Sequence, residues 1–326
     1  MPATIKDIAK KVGVNVSTVS RVLNNRGYIS DSLREKIERA MIELNYQPNE
    51  VARTLFRKKS NMIGIIIPTV AHPFFAELCS HLEDYAYRHQ YKVVLCNSQH
   101  DRDKELMYLN YLKANQVEGI LMGSQTINVA EFSKIALPLV TFDRAISDQI
   151  PYVSSDNYEG GRMATELLIE KGCRKIAMIT GSLKLPMLSN RRHDAFVEAA
   201  KKHGIWYTVL ETDDYGFNPD NYEGIIMELF SKYPDIDGIF ASSDVIAAHI
   251  LKICHQLNKK VPSQIKVVGY DGIAFSEATA PPLSTVRQPI REIAELAFDL
   301  LMKQINHEPV ECVNILPNEL KIRQTT

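Results

Sequence analysis

Long apolar runs, paired cysteines and clustered histidines are all missing from this chain of 326 residues. Its one solid apolar run, Met62–Ile67, is far shorter than the roughly 20 residues that a membrane-spanning helix needs. The five cysteines form no CxxC pair, and the nine histidines have neither HxxxH nor HExxH spacing. These absences predict a protein without a membrane span, a disulfide framework or a metal site, and we expect no cofactor.

A secretory signal is also missing, because the amphipathic residues Met1–Lys11 contain no continuous apolar segment, and this favours a cytoplasmic protein. Charge is unevenly distributed, although the formal net charge is only −1. Residues 1–60 hold 12 basic and 6 acidic side chains, which leaves 26 basic and 33 acidic side chains in the remainder. A basic segment ahead of an acidic body indicates that residues 1–60 meet a polyanion, with a chance excess of basic residues as the alternative.

The spacing of apolar residues changes near residue 60. Before it, the pattern predicts short helices; after it, near-continuous apolar strands alternate with helices, which is typical of parallel sheets covered on both faces. The alternation restarts near Ser155–Gly161, so we expect two α/β lobes with a ligand cleft between them. The strand candidates are Ile63–Ile67, Lys92–Cys96, Gly119–Met122, Leu139–Phe142, Lys175–Ile179, Gly238–Ala241, Lys266–Gly269 and Thr285–Gln288.

Residues 4–24 have the pattern of a helix-turn-helix. Thr4 and Asp7 have the spacing of a capping box, and Gly13 ends the first helix after about two turns. The second helix, from about Val16 to Leu23, exposes short hydroxyl side chains and Arg21, which suit phosphates and base edges in a major groove. An ordinary helical hairpin, in which the hydroxyls only cap, is the alternative.

These residues resemble the DNA-binding head of the lactose-repressor family, and the likeness includes the nine residues Val16–Asn24. The segment Tyr46–Leu55 is similar to the hinge helix of that family. The resemblance continues through the rest of the chain, in the family's order, at Ile63–Pro68, His72–Phe75, Thr141–Arg144, Ser155–Asn157 and Val268–Asp271. It implies a bacterial, nucleoid-associated repressor that binds palindromic operator DNA as a homodimer.

The resemblance also implies a fold and its boundaries. We expect an all-α helix-turn-helix head at 1–47, a hinge helix and linker at 48–60, and an α/β body at 61–326 like that of the type I periplasmic binding proteins. Lobe 1 of the body is expected at about 61–158 and 290–316, and lobe 2 at about 159–289 and 317–326. The chain ends in a strand-like segment without leucine heptads, which favours a dimer over a tethered tetramer.

DNA contacts are expected from two segments. In the head they are Thr4, Val16, Ser17, Thr18, Ser20, Arg21 and Asn24, and in the hinge they are Asn49, Ala52, Arg53, Leu55 and Arg57. The resemblance implies that paired Leu55 side chains from a dimer wedge open a base step in the minor groove, which costs a few kcal/mol and is offset by new contacts. Packing of Leu55 into the protein is the alternative.

The effector of the family binds in the cleft between the lobes, and the matching positions follow strands. The expected ligand residues are His72, Phe74, Phe75, Asp143, Arg144, Arg192, Phe217, Asp244 and Asp271. Carboxylates, guanidinium groups and aromatic rings around a cleft suit a polyhydroxylated, uncharged ligand, because fixed donors and acceptors can pair its hydroxyls. Core packing of the aromatic residues and helix capping by Asp271 are the alternatives.

The chain resembles the sucrose-operon repressors of Gram-positive bacteria in the segments Leu95–Ser98, Ala114–Gly119 and Phe142–Asn157. Ribose-type repressors share much of the same sequence. We therefore expect a repressor of a sugar-utilisation operon, controlled by a small sugar or sugar phosphate. A purine- or ribose-responsive repressor is one alternative, but Arg144 stands where the purine branch has an aromatic residue. A global carbon-catabolite regulator controlled by a phosphorylated partner protein is another.

Two other classes of protein fit the body less well. An enzyme is not expected, because the chain contains no GxxxxGK[ST], GxSxG or GxGxxG motif. A periplasmic sugar-binding protein would have a similar body, but the missing signal peptide and the basic head argue against it.

Overall fold

The computed structural model describes residues 3–24, 26–47, 59–123, 126, 135–212 and 219–326, without the side chains of residues 219 and 220. The chain forms two compact units, Met1–Ser60 and Asn61–Thr326, which we describe separately. Several residues with expected contacts lie outside the described residues, namely Asn49, Ala52, Arg53, Leu55 and Arg57 of the hinge and Phe217 of the body. None of the described helices is long and apolar enough to cross a membrane.

The first unit has the predicted helix-turn-helix. The Asp7 carboxylate accepts hydrogen bonds from the N–H and the hydroxyl of Thr4, at 2.8 and 2.7 Å, so the capping box is present. Gly13 ends the first helix in the left-handed conformation, with φ of 76°, and its N–H donates to the carbonyl oxygen of Ala9. The helices of this unit are α1 (Ile5–Val12), α2 (Val16–Leu23) and α3 (Asp31–Glu43). Their buried core is formed by Ile8, Ala9, Val19, Val22, Ile37 and Ala40.

Lobe 1 of the second unit has a six-stranded parallel sheet of order β11-β5-β4-β3-β1-β2. Apolar residues fill β1, β3 and β4 almost completely, because helices cover both faces of a parallel sheet. The strands are β1 (Met62–Ile67), β2 (Lys92–Asn97), β3 (Gly119–Met122), β4 (Leu139–Phe142), β5 (Tyr152–Ser155) and β11 (Val313–Leu316). The helices are α4 (Pro73–Arg88), α5 (Arg102–Ala114) and α10 (Ile290–Ile305).

Lobe 2 has a second six-stranded sheet, of order β12-β10-β9-β8-β6-β7, which is parallel except for β12. Its strands are β6 (Lys175–Thr180), β7 (Trp206–Glu211), β8 (Gly238–Ala241), β9 (Lys266–Asp271), β10 (Ser284–Arg287) and β12 (Glu319–Lys321). Its helices are α6 (Asn157–Glu170), α7 (Arg191–Lys202), α8 (Pro219–Lys232) and α9 (Asp244–Gln256). The prediction of two α/β lobes with parallel sheets is confirmed.

Four strands lie outside the eight candidates; one of them, β12, belongs to the C-terminal segment expected to be strand-like, and the other three were not predicted. The edge strands β7 and β11 have residues of intermediate or full exposure throughout, so neither is a continuous apolar run. The third, β5, is buried at three of its four positions, but two of these are serines. A search for near-continuous apolar runs finds central strands and misses strands of these two kinds.

The chain crosses between the lobes three times, after β5, after β10 and after β11. Hydrogen bonds tie the three crossings together. The Ser155 hydroxyl donates to Gln288 Oε1 at 2.7 Å, Asn318 Nδ2 donates to the carbonyl oxygen of Asp156 at 2.7 Å, and the Asp156 N–H donates to the carbonyl oxygen of Leu316 at 2.8 Å. The carboxyl ends of the strands of both lobes meet at these crossings, where ligands bind in open α/β sheets.

Candidate DNA-binding surface and ligand cavity

The exposed side of α2 carries the residues expected to contact DNA. Val16, Ser17 and Arg21 are exposed, while Val19 and Val22 on the opposite side are buried in the core. Thr18 and Ser20 are partly exposed, and Thr4 is exposed at the start of α1. The Asn24 amide turns back onto its own helix, where Nδ2 donates to the carbonyl oxygen of Ser20 at 2.9 Å. Short polar side chains and one arginine on an exposed helix are the features of a helix that enters a major groove.

A cavity of about 150 Å³ lies between the lobes of the second unit. Residues from both sheets and from two of the crossings line it, so a ligand inside it touches both lobes. Its walls combine aromatic rings with a few polar groups, as in most small-molecule sites. The polar and aromatic lining residues are His72, Phe74, Phe75, Phe142, Asp143, Ser154, Ser155, Thr180, Ser182, Ser189, Asn190, Arg192, Ser242, Ser243, Asp271 and Gln288.

Arg192 is held firmly in the wall that belongs to lobe 2. Its Nε donates to Asn157 Oδ1 at 2.6 Å, its Nη1 donates to the carbonyl oxygen of Ser242 at 2.9 Å, and its guanidinium lies 3.6 Å from the centre of the Tyr270 ring. Gly161 lets α6 and α7 approach closely here, because a Cβ at Gly161 would lie 2.6 Å from the Arg192 carbonyl oxygen. The guanidinium therefore has a fixed orientation at the cavity.

Asp271, at the end of β9, lines the cavity and has one unsatisfied acceptor. Its Oδ1 accepts from Gln288 Nε2 at 2.8 Å, whereas its buried Oδ2 has no hydrogen-bond partner among the described residues. Burial raises the pKa of Asp271 to about 7, although the charge of Arg192 lowers it. Because an unpaired buried carboxylate oxygen is costly, this atom is suited to accept a hydroxyl of a ligand.

Asp143 lies in lobe 1 and contacts lobe 2. It has a left-handed backbone, with φ of 54°, which is uncommon for a residue other than glycine. Its Oδ1 accepts from the Ser154 hydroxyl at 2.6 Å and from Asn157 Nδ2 at 2.7 Å. Its carbonyl oxygen accepts from the N–H of Leu188 in lobe 2 at 3.0 Å. Several hydrogen bonds therefore hold this conformation and aim the carboxylate at the cavity.

Aromatic side chains at and just before the start of α4 form another part of the cavity wall. Phe74 and Phe75 pack edge to face, with ring centres 5.2 Å apart, and His72 lies 6.0 Å from Phe75. Burial, together with the charge of Arg192, lowers the pKa of His72 to about 4, so the imidazole is neutral at pH 7. Phe75 is also part of the lobe 1 core, so core packing and cavity lining both apply to it.

Arg144 is not among the described residues that line the cavity, and its expected contact with a ligand stays a prediction. Arg144 is buried and does not belong to the described lining. Burial lowers the pKa of Arg144, and the charge of the buried Glu105 on α5 opposes this shift. Asp143 follows β4 in a left-handed conformation, so the regular alternation of strand side chains does not extend to Arg144.

Asp244 is a second expected ligand residue outside the described lining. It is fully buried behind the cavity wall, where Oδ1 accepts from the Thr285 hydroxyl at 2.6 Å and Oδ2 accepts from the Ile273 N–H at 3.0 Å. Burial, and then the charge of Asp271, raise the pKa of Asp244 well above its usual value. Its neighbour Ser243 lines the cavity instead. Among the described residues, Asp244 thus joins β9 and β10 to α9, and its expected contact with a ligand stays a prediction.

The structure also adds lining residues that the sequence reasoning missed. Gln288 holds Asp271 through its Nε2, and Ser154 holds Asp143 through its hydroxyl. Both lie at or beside a crossing between the lobes. The sequence did contain a signal for these residues, because each lies at or directly after the end of a buried strand. Serine and glutamine are common in loops, however, so this position alone does not identify them as ligand residues.

A helix-turn-helix head, together with a two-lobed body that encloses a cavity of ligand size, is typical of DNA-binding regulators. Comparison with known proteins agrees with this class. The chain belongs to the lacI family of bacterial regulatory proteins, whose family model matches residues 4–49. A model of the periplasmic-binding-protein-like domain matches residues 165–326. The resemblance is thereby confirmed, and the chain is a transcriptional regulator and not an enzyme.

Two of the similar curated proteins are named as repressors of sugar operons. The ribose operon repressor of Halalkalibacterium halodurans is 40% identical over 324 residues, which cover 99% of this chain and 97% of that protein. The sucrose operon repressor of Streptococcus mutans is 40% identical over 317 residues, which cover 97% of each.

Two solved structures extend the comparison. The lac repressor dimer bound to operator and the anti-inducer ONPF has a TM-score of 0.88 and 25% identity, covering 100% of this chain and 99% of that one. A LacI transcriptional regulator from Alkaliphilus metalliredigens complexed with D-xylulofuranose has a TM-score of 0.76 and 32% identity, covering 82% of this chain and 99% of that one.

Proposed function

We propose that this protein represses a sugar-utilisation operon in the bacterial cytoplasm, and that a small uncharged sugar in the cavity controls its binding to a palindromic operator. The observation that carries this proposal is the buried, unpartnered Oδ2 of Asp271 in the wall of a cavity that also holds Arg192. A carboxylate acceptor and a guanidinium donor in one small cavity can pair neighbouring hydroxyls of a sugar ring.

The charges of the described lining favour a sugar over a sugar phosphate. Arg192 is the cation, whereas Asp143 and Asp271 are both carboxyl groups, and the low pKa of His72 keeps that ring neutral. A phosphate group would therefore meet more negative than positive charge. Phosphate sites normally contain several cations or backbone N–H donors.

The size of the cavity favours a monosaccharide. The cavity has a volume of about 150 Å³, and one water molecule needs roughly 10–15 Å³ of a volume measured in this way. A ligand of about ten non-hydrogen atoms therefore fits. A pentose or a hexose has this size, whereas a disaccharide such as sucrose is about twice as large. A repressor can bind one sugar and control the operon for another. The cavity size therefore bears on the effector and not on the identity of the operon.

DNA binding in this proposal uses the exposed side of α2, with Arg21 as the base-reading candidate and Leu55 of the hinge as the minor-groove wedge. The relatives that support an operator-binding repressor are those named for ribose and sucrose operons, and the lac repressor structure contains operator. We retain a homodimer, and the boundaries 1–47, 48–60 and 61–326, as part of the same proposal.

The test is a thermal-shift screen of the full chain with D-ribose, D-fructose, D-xylulose, sucrose, their phosphates and purines. A ligand at about 100 times its dissociation constant adds roughly 2.7 kcal/mol of stability. We expect an uncharged monosaccharide to raise the melting temperature and to change operator affinity in a fluorescence anisotropy titration. Asp271→Ala should abolish both effects, whereas Asp148→Ala, a change at an exposed carboxylate, should retain them.

Two alternatives have distinct outcomes. If no sugar shifts the melting temperature, and a phosphorylated partner protein changes operator affinity instead, the chain is a global carbon-catabolite regulator. A shift by purines alone would favour the purine-responsive branch.

A further inference from the structure

Asn157 is the first residue of α6, directly after the first crossing from lobe 1 to lobe 2. It is buried, with 3% of its surface exposed, and it does not belong to the described lining of the cavity. Its side chain nevertheless bonds to two charged residues that do line the cavity. Nδ2 donates to Asp143 Oδ1 at 2.7 Å in lobe 1, and Oδ1 accepts from Arg192 Nε at 2.6 Å in lobe 2.

The chemistry of the two partners determines which way this amide points. An arginine has only donors and an ionised carboxylate has only acceptors, so the oxygen of Asn157 must face Arg192 and its nitrogen must face Asp143. The nitrogen also donates to the Ser154 hydroxyl at 3.0 Å and to the carbonyl oxygen of Ser155 at 3.2 Å. An aspartate in place of Asn157 would keep the bond to Arg192 and bring two carboxylates together.

We propose that Asn157 is a positioning residue that fixes the carboxylate of Asp143 relative to the guanidinium of Arg192, and thereby sets effector affinity without touching the effector. The proposal rests on the proposed function, since it concerns the same cavity. A ligand that bonds to both lobes gains most when its two partners are already held at the required spacing. Asn157 joins the two side chains at the segment that connects the lobes, in addition to the bonds that hold Asp143 and Arg192 to other residues.

The first test needs no ligand. No hydrogen bond or ion pair within 4.0 Å joins Asp143 directly to Arg192 among the described residues, so energetic coupling between them should pass through Asn157. We would measure urea unfolding for Asp143→Asn, Arg192→Lys and their combination, in the presence of Asn157 and again with Asn157→Ala. Conservative variants are chosen so that each protein folds.

We expect the effects of the two changes on the unfolding midpoint to be non-additive with Asn157 and additive with Asn157→Ala, as contacts in one network behave. A side chain with only a structural role would lower stability without removing the non-additivity. Equal non-additivity in both backgrounds would show direct coupling, and additivity in both would show none. Either result overturns the proposal, whether or not any sugar binds.

The second test uses the sugars of the screen as probes, with D-ribose, D-fructose and D-xylulose measured by calorimetry. Asn157→Asp should weaken binding by about tenfold or more, because the carboxylate of residue 157 repels Asp143. Adding Asp143→Asn restores a donor opposite the new acceptor, so the double variant should bind better than the Asn157→Asp single variant. Asn110→Asp, the same change at an exposed position on α5, should bind as the wild type does.

A double variant that binds no better than Asn157→Asp would contradict the positioning proposal while leaving the sugar site intact. A wild-type protein that binds none of these sugars would contradict the proposed effector class, and the unfolding cycle would then decide the positioning proposal by itself. The two failures are therefore distinguishable.

Discussion

The backbone N–H of Leu188 donates to the carbonyl oxygen of Asp143 at 3.0 Å, and this bond joins lobe 2 to lobe 1 beside the cavity. Leu188 belongs to the segment between β6 and α7 that also contributes Met187 and Ser189 to the lining. The two lobes thus contact each other next to the ligand site, apart from the three crossings. A ligand that prefers this lobe arrangement over another can shift the equilibrium only by its difference in affinity for the two, typically 1–3 kcal/mol.

Replacing Asp271 should stabilise the body at alkaline pH. The pKa of Asp271 is raised to about 7 in the folded protein, so the native state binds this proton more tightly than the unfolded chain does. Stability is therefore lost as pH rises from about 4 through 7, and at pH 8 the charged form carries the full penalty. Asp271→Asn should raise the free energy of unfolding by about 1–3 kcal/mol at pH 8.

Urea unfolding at pH 8 and pH 5 measures this effect. The gain should shrink at pH 5, because the wild-type carboxyl is then protonated. A gain of the same size at both values would mean that packing, and not charge, is responsible.

Sugar affinity should fall as pH falls below about 7. A hydroxyl that donates to Asp271 needs the charged carboxylate, and protonation replaces that acceptor with a donor. The dissociation constant should rise by up to about tenfold for each pH unit below the pKa. Calorimetric titrations at pH 6, 7 and 8 would show the trend, and Asp271→Asn should bind weakly at all three. His72 does not contribute in this range, because its pKa is about 4. A flat profile for the wild type would exclude a charged Asp271 as the acceptor.

The larger part of the fold was predictable because burial leaves a clear pattern. The central strands β1, β3 and β4 are apolar at nearly every position, and the helix-turn-helix has both its capping box and its left-handed glycine. The edge strand β7 was not predicted, because an edge strand needs no continuous apolar run, and β7 combines Trp206 with Thr208 and Glu211.

The cavity was predictable at the level of segments and less so at the level of residues. Phe74, Asp143, Arg192 and Asp271 line it, and each lies at the end of a strand, directly after one, or in the first turn of a helix. Arg144, the neighbour of Asp143, does not line it, because the direction of one side chain depends on the local backbone rather than on the segment. The bridging position of Asn157 depends on contacts over 14 and 35 residues of sequence, which no local pattern contains.

Arg21→Ala should weaken operator binding more than binding to random DNA. If Arg21 reads a base edge, the loss on operator is about 1–3 kcal/mol, whereas a phosphate contact weakens both alike. Anisotropy titrations with operator and random duplexes at several salt concentrations separate the two, since each lost phosphate contact lowers the salt slope by about one. Arg39→Ala, an exposed arginine on α3 of the same unit, is the matched control. Equal losses on both duplexes would make Arg21 a phosphate contact.

Gly161→Ala should disturb the cavity from outside it. A Cβ at Gly161 would lie 2.6 Å from the carbonyl oxygen and 2.7 Å from the Cα of Arg192, so α6 and α7 must move apart. Overpacking of this kind costs roughly 1–3 kcal/mol, and the shift should also displace the guanidinium and weaken sugar binding. Gly224→Ala is the matched control, because a Cβ at this position on α8 meets nothing within 4 Å. That change should stabilise the helix by up to about 1 kcal/mol. The prediction is tested by measuring the melting temperature and the sugar dissociation constant of both variants. Unchanged sugar affinity in Gly161→Ala would show that Arg192 tolerates movement of its helix.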